Sequence, residues 1–179
     1  MSNQTTNITT NSKPLLIEKK GISSFWKLII AVLICETVGI VSGFLSQGSM
    51  TTWFATLQKP SWNPPAYLFG PIWTVLYLLM GISLWLVWKN GAPEAKKTRA
   101  MSVFGVQLFF NFCWSILFFK FQSPALGLID ILLLGLTILI TISYFARISR
   151  LAAWLLVPYV LWVYFATVLN YTLWTNNIN

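Results

Sequence analysis

From residue 25 onward, long and nearly uncharged apolar runs alternate with short polar segments, and within the runs apolar residues follow one another without a two-residue alternation. Five runs stand out: Phe25 to Leu45, Gly70 to Trp88, Met101 to Phe119, Pro124 to Tyr144 and Leu151 to Trp174. Each has about the twenty residues that an α-helix, rising ~1.5 Å per residue, needs to cross ~30 Å of hydrocarbon. A membrane β-barrel would need strands that alternate between lipid and lumen, and these runs do not. The pattern therefore predicts an all-α integral membrane protein built as a five-transmembrane-helix bundle, with residues 25–174 as one membrane domain. Residues 1–24, rich in Asn and Thr and then basic, are predicted to be a disordered polar tail, and 175–179 a short C-terminal tail. A cleavable signal peptide fits the N-terminal region less well, because the first apolar run is long and lacks a small-x-small cleavage site.

Composition agrees: 56% of the 179 residues are hydrophobic and only 9% are charged, against about a quarter charged in soluble domains. The positions of the charges add an orientation. With five spans, Lys13, Lys19, Lys20, Lys27, Lys89, Lys96, Lys97, Arg99, Arg147 and Arg150 fall on the side of the N-terminus, and Lys59 and Lys120 opposite, ten against two of the twelve basic residues. Positively charged loops stay in the cytoplasm, so the expectation is a cytoplasmic N-terminus and an outer C-terminus, in a bacterial cytoplasmic membrane. The net charge of +8 then reflects topology and anionic lipid head groups, with no call for nucleic acid.

The stretch "KPSWNPPAYLFGPIW", Lys59 to Trp73, is too rich in proline for an ordinary helix, yet it carries Trp62, Tyr67, Phe69 and Trp73. Two readings stand. The rings form an interfacial belt at head-group depth, or Pro60, Trp62, Pro64 and Pro65 make a stiff lid over something flat and apolar. The spans supply a matching interior. Trp73, Tyr77 and Gly81 recur on one stripe of span two; Gln107, Asn111, Trp114 and Ser115 share a face of span three; Trp162, Ala166 and Asn170 align in span five beside Phe165 and Leu169. Amides within a bilayer must find partners, so ordinary helix packing explains any one of these faces. Three together predict a cavity lined by indoles and amides.

Two carboxylates, Glu36 and Asp130, lie inside predicted spans, where an ionisable group is costly. Glu36 is expected to be neutral or hydrogen-bonded in the bundle; Asp130 stands equally as a structural or a functional acid. Cys35 and Cys113 both fall in apolar runs and form no disulfide framework, and no metal-ligand spacing appears. Gly39-x-x-x-Gly43 is a close-packing motif that serves either a homodimer or packing within the chain.

The runs "WFATLQKPSWNPPAYLFGPIWTVLYLLMG", "QLFFNFCWSILFF", "LGLIDILLL" and "LVPYVLWVYFATVLNYTLW" resemble the TspO/translocator protein family, also called the peripheral-type benzodiazepine receptor family. The resemblance runs from about Trp53 to the C-terminus. It implies a five-helix bundle, often dimeric, with a pocket beneath the first long loop that binds porphyrins and, in some members, cholesterol and benzodiazepine-type ligands, and so favours the loop with Pro60, Trp62, Pro64 and Pro65 as a lid capping that pocket. Ligand-binding positions implied for this chain are Trp53, Phe69, Trp73, Asn111, Trp114, Leu133, Trp162, Ala166 and Leu169, to which the stripe in span two adds Tyr77. Two departures bear on ligand choice. No basic residue follows Tyr171, so the sterol pattern of mammalian members is incomplete; and the chain has no histidine to hold a haem iron. Metal-free porphyrin of the protoporphyrin IX type is the expected ligand, with no cofactor required.

Function then divides between a receptor or transport-type protein that binds tetrapyrroles, and an enzyme that degrades protoporphyrin in light through Trp73 and Trp162, as the resemblance implies for some bacterial members. No acid-base pair, nucleophile-base pair or metal cluster supports other chemistry, so binding leads. Five spans without an internal repeat argue against an inverted-repeat transporter.

Overall fold

The computed structural model describes residues 21–178, so most of the N-terminal tail lies outside the described residues. Five helical spans are long and apolar enough to cross a membrane, and no strand occurs among the described residues. The first, α1 (Ser24–Thr51), is followed by a single turn, α2 (Trp53–Thr56), and then by the proline-rich loop. The second span is α3 (Ala66–Trp88). The third is α4 (Glu94–Ser115), which continues as a π-helical turn over Ile116–Lys120. The fourth is α5 (Pro124–Ala146). The fifth is broken into α6 (Arg150–Leu155) and α7 (Val157–Asn176).

The ends follow local chemistry. Ser23, Ser123 and Ser149 each cap a helix by accepting a backbone N–H, from Trp26, Leu126 and Ala152 respectively. Pro65 and Pro93 stand immediately before α3 and α4, and Pro124 opens α5, positions where the missing donor costs no helical bond. Pro158, in the first turn of α7, cannot donate to the preceding turn, and the fifth span is interrupted just before it at Leu156. The third span ends differently: the π turn is followed by Gln122 in the left-handed region at φ 53°, which few non-glycine residues adopt.

Several boundaries differ from those read in the sequence. The first span extends six residues past Leu45 to Thr51, the second begins at Ala66 with Pro71 inside it, and the third begins at Glu94. Hydropathy marks the depth of the hydrocarbon, whereas backbone hydrogen bonding continues the helix into the interfacial region, and at the starts of α3 and α4 a proline sets the limit. The fifth span runs to Asn176, so the tail expected at 175–179 starts inside the last helix.

The interior is an apolar core, with Phe104, Phe145, Met80 and Leu134 fully buried, that also holds several polar side chains, and the outside is apolar. Gln107, Asn111, Asp130 and Asn170 are buried, while Phe44 (77% exposed), Ile40 (70%) and Leu161 (62%) cover the outside. In water such a surface would be an aggregation liability; in a bilayer it is the solvated face. The chain is thus a multi-pass membrane protein. The helix α1 packs on α3, and α5 is sandwiched between α4 and α7. The α1–α3 contact depends on glycine: a Cβ on Gly81 would lie 2.6 Å from Val32 Cα, and a Cβ on Gly39 would strike the Tyr77 ring. Gly39 therefore serves packing within the chain, whereas Gly43 has nothing within 4 Å of a Cβ position.

Candidate functional site

The main cavity, about 280 Å³ in volume, lies between α1, α3 and α4. Its α1 wall is a stripe at helical spacing, Glu36, Gly39, Ile40, Gly43, Ser46 and Met50 with Ser42 beside it; its α3 wall is Phe69, Gly70, Trp73, Thr74 and Tyr77. Asn111, Trp114 and Ser115 from α4 and Phe119 from the π turn close it. Ile40, Gly43, Ala66, Gly70 and Thr74 line the cavity and are also exposed, so it opens sideways through the seam between α1 and α3.

The polar groups at the back of this cavity are committed to one another. The Tyr77 hydroxyl donates to Asn111 Oδ1, Asn111 Nδ2 donates to Tyr159 Oη at 3.0 Å, and the Tyr159 hydroxyl donates to Gln107 Oε1 at 2.9 Å. The chain of bonds crosses three helices and satisfies the Asn111 amide, while Gln107 Nε2 stays buried without a partner. Trp114 is fixed separately. Its Nε1–H donates to Asn170 Oδ1 at 3.1 Å, and Asn170 Nδ2 donates to the Pro124 carbonyl at 2.7 Å. Trp114 also stacks on Phe118 at 5.0 Å between ring centroids. The π turn makes this geometry: an extra residue in the turn rotates Phe118 and Phe119 so that both are buried, with Phe119 facing the cavity.

The sequence-predicted residues divide into three groups. Phe69, Trp73, Tyr77, Asn111 and Trp114 line the main cavity. Ala166 and Leu169 line a neighbouring void of about 30 Å³, separated from it by Phe69, Trp114 and Phe119, which face both. Trp53, Trp162 and Leu133 line neither. Trp53 packs edge-on against Phe118 at 5.5 Å. Leu133 is 43% exposed on the outer face of α5, because the inward stripe of that helix is Gly127, Asp130, Ile131 and Leu134.

None of Pro60, Trp62, Pro64 and Pro65 lines the cavity. The loop instead turns over α7, because Asn177 at the end of that helix grips Gln58 twice, accepting from its N–H at 2.9 Å and donating to its carbonyl at 3.2 Å. Trp62 leans on Phe165 (5.9 Å), Phe165 on Trp162 (5.3 Å), and Trp162 on Phe69 (6.1 Å), which is a cavity wall. Loop and cavity are thus joined by a relay of four rings. Trp162 Nε1 is buried within it without a hydrogen-bond partner.

Both intramembrane acids break from ordinary packing. Asp130 is buried, with Oδ2 unpartnered, and lines neither void. Glu36, expected to be neutral or hydrogen-bonded in the bundle, lines the main cavity; the single ion pair among the described residues joins Glu94 and Lys97. No group of three or more metal-ligating side chains occurs among the described residues, and both cysteines are free thiols. Sequence reasoning missed the whole α1 wall. Its signal was present as the small residues Gly39, Ser42, Gly43 and Ser46, which leave room beside a helix.

Comparison with known proteins agrees with this architecture. Residues 31–175 match the TspO/MBR family. The chain is 41% identical over 151 residues to the tryptophan-rich protein TspO of Archaeoglobus fulgidus, covering 84% of this chain and 97% of that one. It is 41% identical over 146 residues to the protein of the same name from Chlorobaculum tepidum, covering 82% and 92%. With the human translocator protein it shares 39% identity over 132 residues, 73% of this chain and 78% of that one. A match spanning all five helices, with relatives this similar over most of their length, places the chain in the TspO/MBR family.

Proposed function

We propose that the protein is a receptor or transport-type membrane protein that binds a tetrapyrrole of the protoporphyrin IX type in the cavity between α1, α3 and α4. The observation that carries this reading is the cavity wall: Phe69, Trp73, Tyr77, Trp114 and Phe119 offer aromatic surface, while Tyr77 and Asn111 spend their polar atoms on each other and on Tyr159. Such a wall favours a flat, apolar ligand held by stacking. The sideways opening lets the edge of a macrocycle too large for about 280 Å³ extend towards lipid. Loop and ligand communicate through the ring relay from Trp62 to Phe69.

Light-driven degradation is the competing function, and the position of Trp162 outside both voids weighs against a pair of indoles acting on one bound ligand. The two are separated by following porphyrin absorbance, lit and dark, in the parent, Trp73→Phe and Trp162→Phe. A binder loses no more porphyrin in light than free pigment does, and each variant retains an aromatic face, so affinity falls by less than about tenfold. Fast loss that collapses in either variant while dark binding persists would make the protein an enzyme.

We further propose a cytoplasmic N-terminus in a bacterial cytoplasmic membrane. The N-terminal start of α1 and the α3–α4 connection lie at one end, where Trp85 Nε1 donates to the Ser24 carbonyl at 2.9 Å and Lys27 sits over the Trp88 ring. That end carries most of the basic residues. A cysteine placed at Ser61 should react with an impermeant thiol reagent added outside whole cells, and one at Ala95 should not. Reversed labelling would invert the orientation.

A further inference from the structure

Among the cavity-lining groups, Glu36 stands apart. The hydroxyls of the cavity lie elsewhere: Ser42, buried and six residues further along α1, has its Oγ beside the Tyr77 hydroxyl, Ser46 donates back to the Ser42 carbonyl, and Thr74 donates to the Gly70 carbonyl. Glu36 has no cationic partner among the described residues. The nearest basic residue on the same helix, Lys27, is nine positions away, about 13 Å along the axis, and is held over Trp88. A carboxylate within a bilayer bundle is costly and persists where it meets a ligand or a proton path.

Its place along the groove is informative. Met50, at the loop end of the cavity, is fourteen residues from Glu36 on α1, about 21 Å at helical rise. Gly39, one turn from Glu36 towards the loop, is pressed against the Tyr77 ring. Glu36 is therefore at the foot of the groove, with Tyr77 and Trp73 above it and Trp114 across from them. One carboxylate is too few donors for a metal ion and repels an anion. A carboxylate beneath aromatic faces suits a protonated amine, which gains a charge-assisted hydrogen bond and a cation–π contact together.

We infer that Glu36, at the foot of the cavity, forms a subsite for the protonated amine of an aromatic amphiphile, a ligand class opposite in charge to a porphyrin dicarboxylate. This rests on the cavity being a ligand site, and it adds to that site an end selective for cations. Flat body and ammonium occupy different levels: the rings lie between Trp73 and Trp114, and the nitrogen reaches down to α1.

Purified full-length protein is titrated with naphthylpropylamine and with butylnaphthalene, its uncharged counterpart, reading quenching of tryptophan emission. The parent should bind the amine at least about tenfold more tightly than the hydrocarbon. Glu36→Gln should bring that ratio close to one, and Glu94→Gln, outside the cavity, should leave it as in the parent. Hydrocarbon binding by each variant reports that the cavity is intact. A ratio near one in the parent, or a ratio that survives Glu36→Gln, overturns the inference. Absence of protoporphyrin binding alongside a preserved ratio would sink the tetrapyrrole reading and leave the amine subsite standing, whereas failure of both naphthalene probes would overturn the subsite and the cavity together.

Discussion

Gly81→Ala should unseat α1 from α3 and lower the thermal unfolding midpoint in detergent by roughly 5 °C or more, the result of a packing defect of about 1–3 kcal/mol. The expectation rests on what the new methyl group would meet: Val32 Cα at 2.6 Å and Val32 N at 3.1 Å, both backbone atoms that no rotamer change can move. The helix itself must retreat by about the missing ångström, since carbon contacts settle near 3.5–4.0 Å. Because the α1–α3 seam is also the open side of the cavity, ligand binding should weaken in the same variant. Gly105→Ala is the control. Gly105 lies within α4 with nothing within 4 Å of its Cβ position, so alanine there should hold or slightly raise the midpoint through helix propensity. Equal behaviour of the two variants would show that α1 and α3 do not pack backbone against backbone at Gly81.

Gly43→Phe should act in the opposite way, leaving the fold intact and removing the site. Gly43 lines the cavity, is exposed, and has open space where a side chain would go. A benzyl group there needs no movement of α3 and occupies volume that a ligand would otherwise fill. In a cavity of about 280 Å³, one phenyl ring is a large fraction of the space, and loss of affinity should exceed about tenfold, as expected when the main stacking surface is obstructed. The midpoint of unfolding should remain near that of the parent, which separates this variant from Gly81→Ala.

How far these features could be read from the sequence differs by element. The five spans were legible because an uncharged apolar run of bilayer length folds as little else than a membrane helix. The inward faces of α3 and α4 were legible because Trp73, Tyr77, Asn111 and Trp114 contrast with their apolar neighbours at helical spacing. The amides of span three find partners in Tyr77 and Tyr159, apart from Gln107 Nε2, which is buried without one. The α1 wall was not legible in the same way: a cavity is bounded there by what is missing, and glycine or serine at Gly39, Ser42, Gly43 and Ser46 reads as close packing until a neighbouring helix is placed. The π turn after Ser115 left no local signature, because it depends on the fit of Phe118 and Phe119 against Trp114 and Phe54. The loop was the most misleading element. Its stiffness was evident from Pro60, Pro64 and Pro65, but its direction is set by Asn177, 119 residues further along the chain, and its Trp62 packs on Phe165 of α7 instead of lining the cavity. Leu133 shows the limit of position carried over from resemblance, since the helix rotation that exposes it is fixed by Gly127 fitting against Phe118 and Asn170.

That a tetrapyrrole occupies the space between α1, α3 and α4 is decided by titrating the parent and Gly43→Phe with protoporphyrin IX in the dark and following tryptophan emission. Saturable quenching in the parent that is weakened by more than about tenfold in Gly43→Phe, with both proteins equally helical and equally stable, is the predicted result. Equal, saturable quenching in both proteins would contradict it, because the pigment would then be bound somewhere this cavity does not reach.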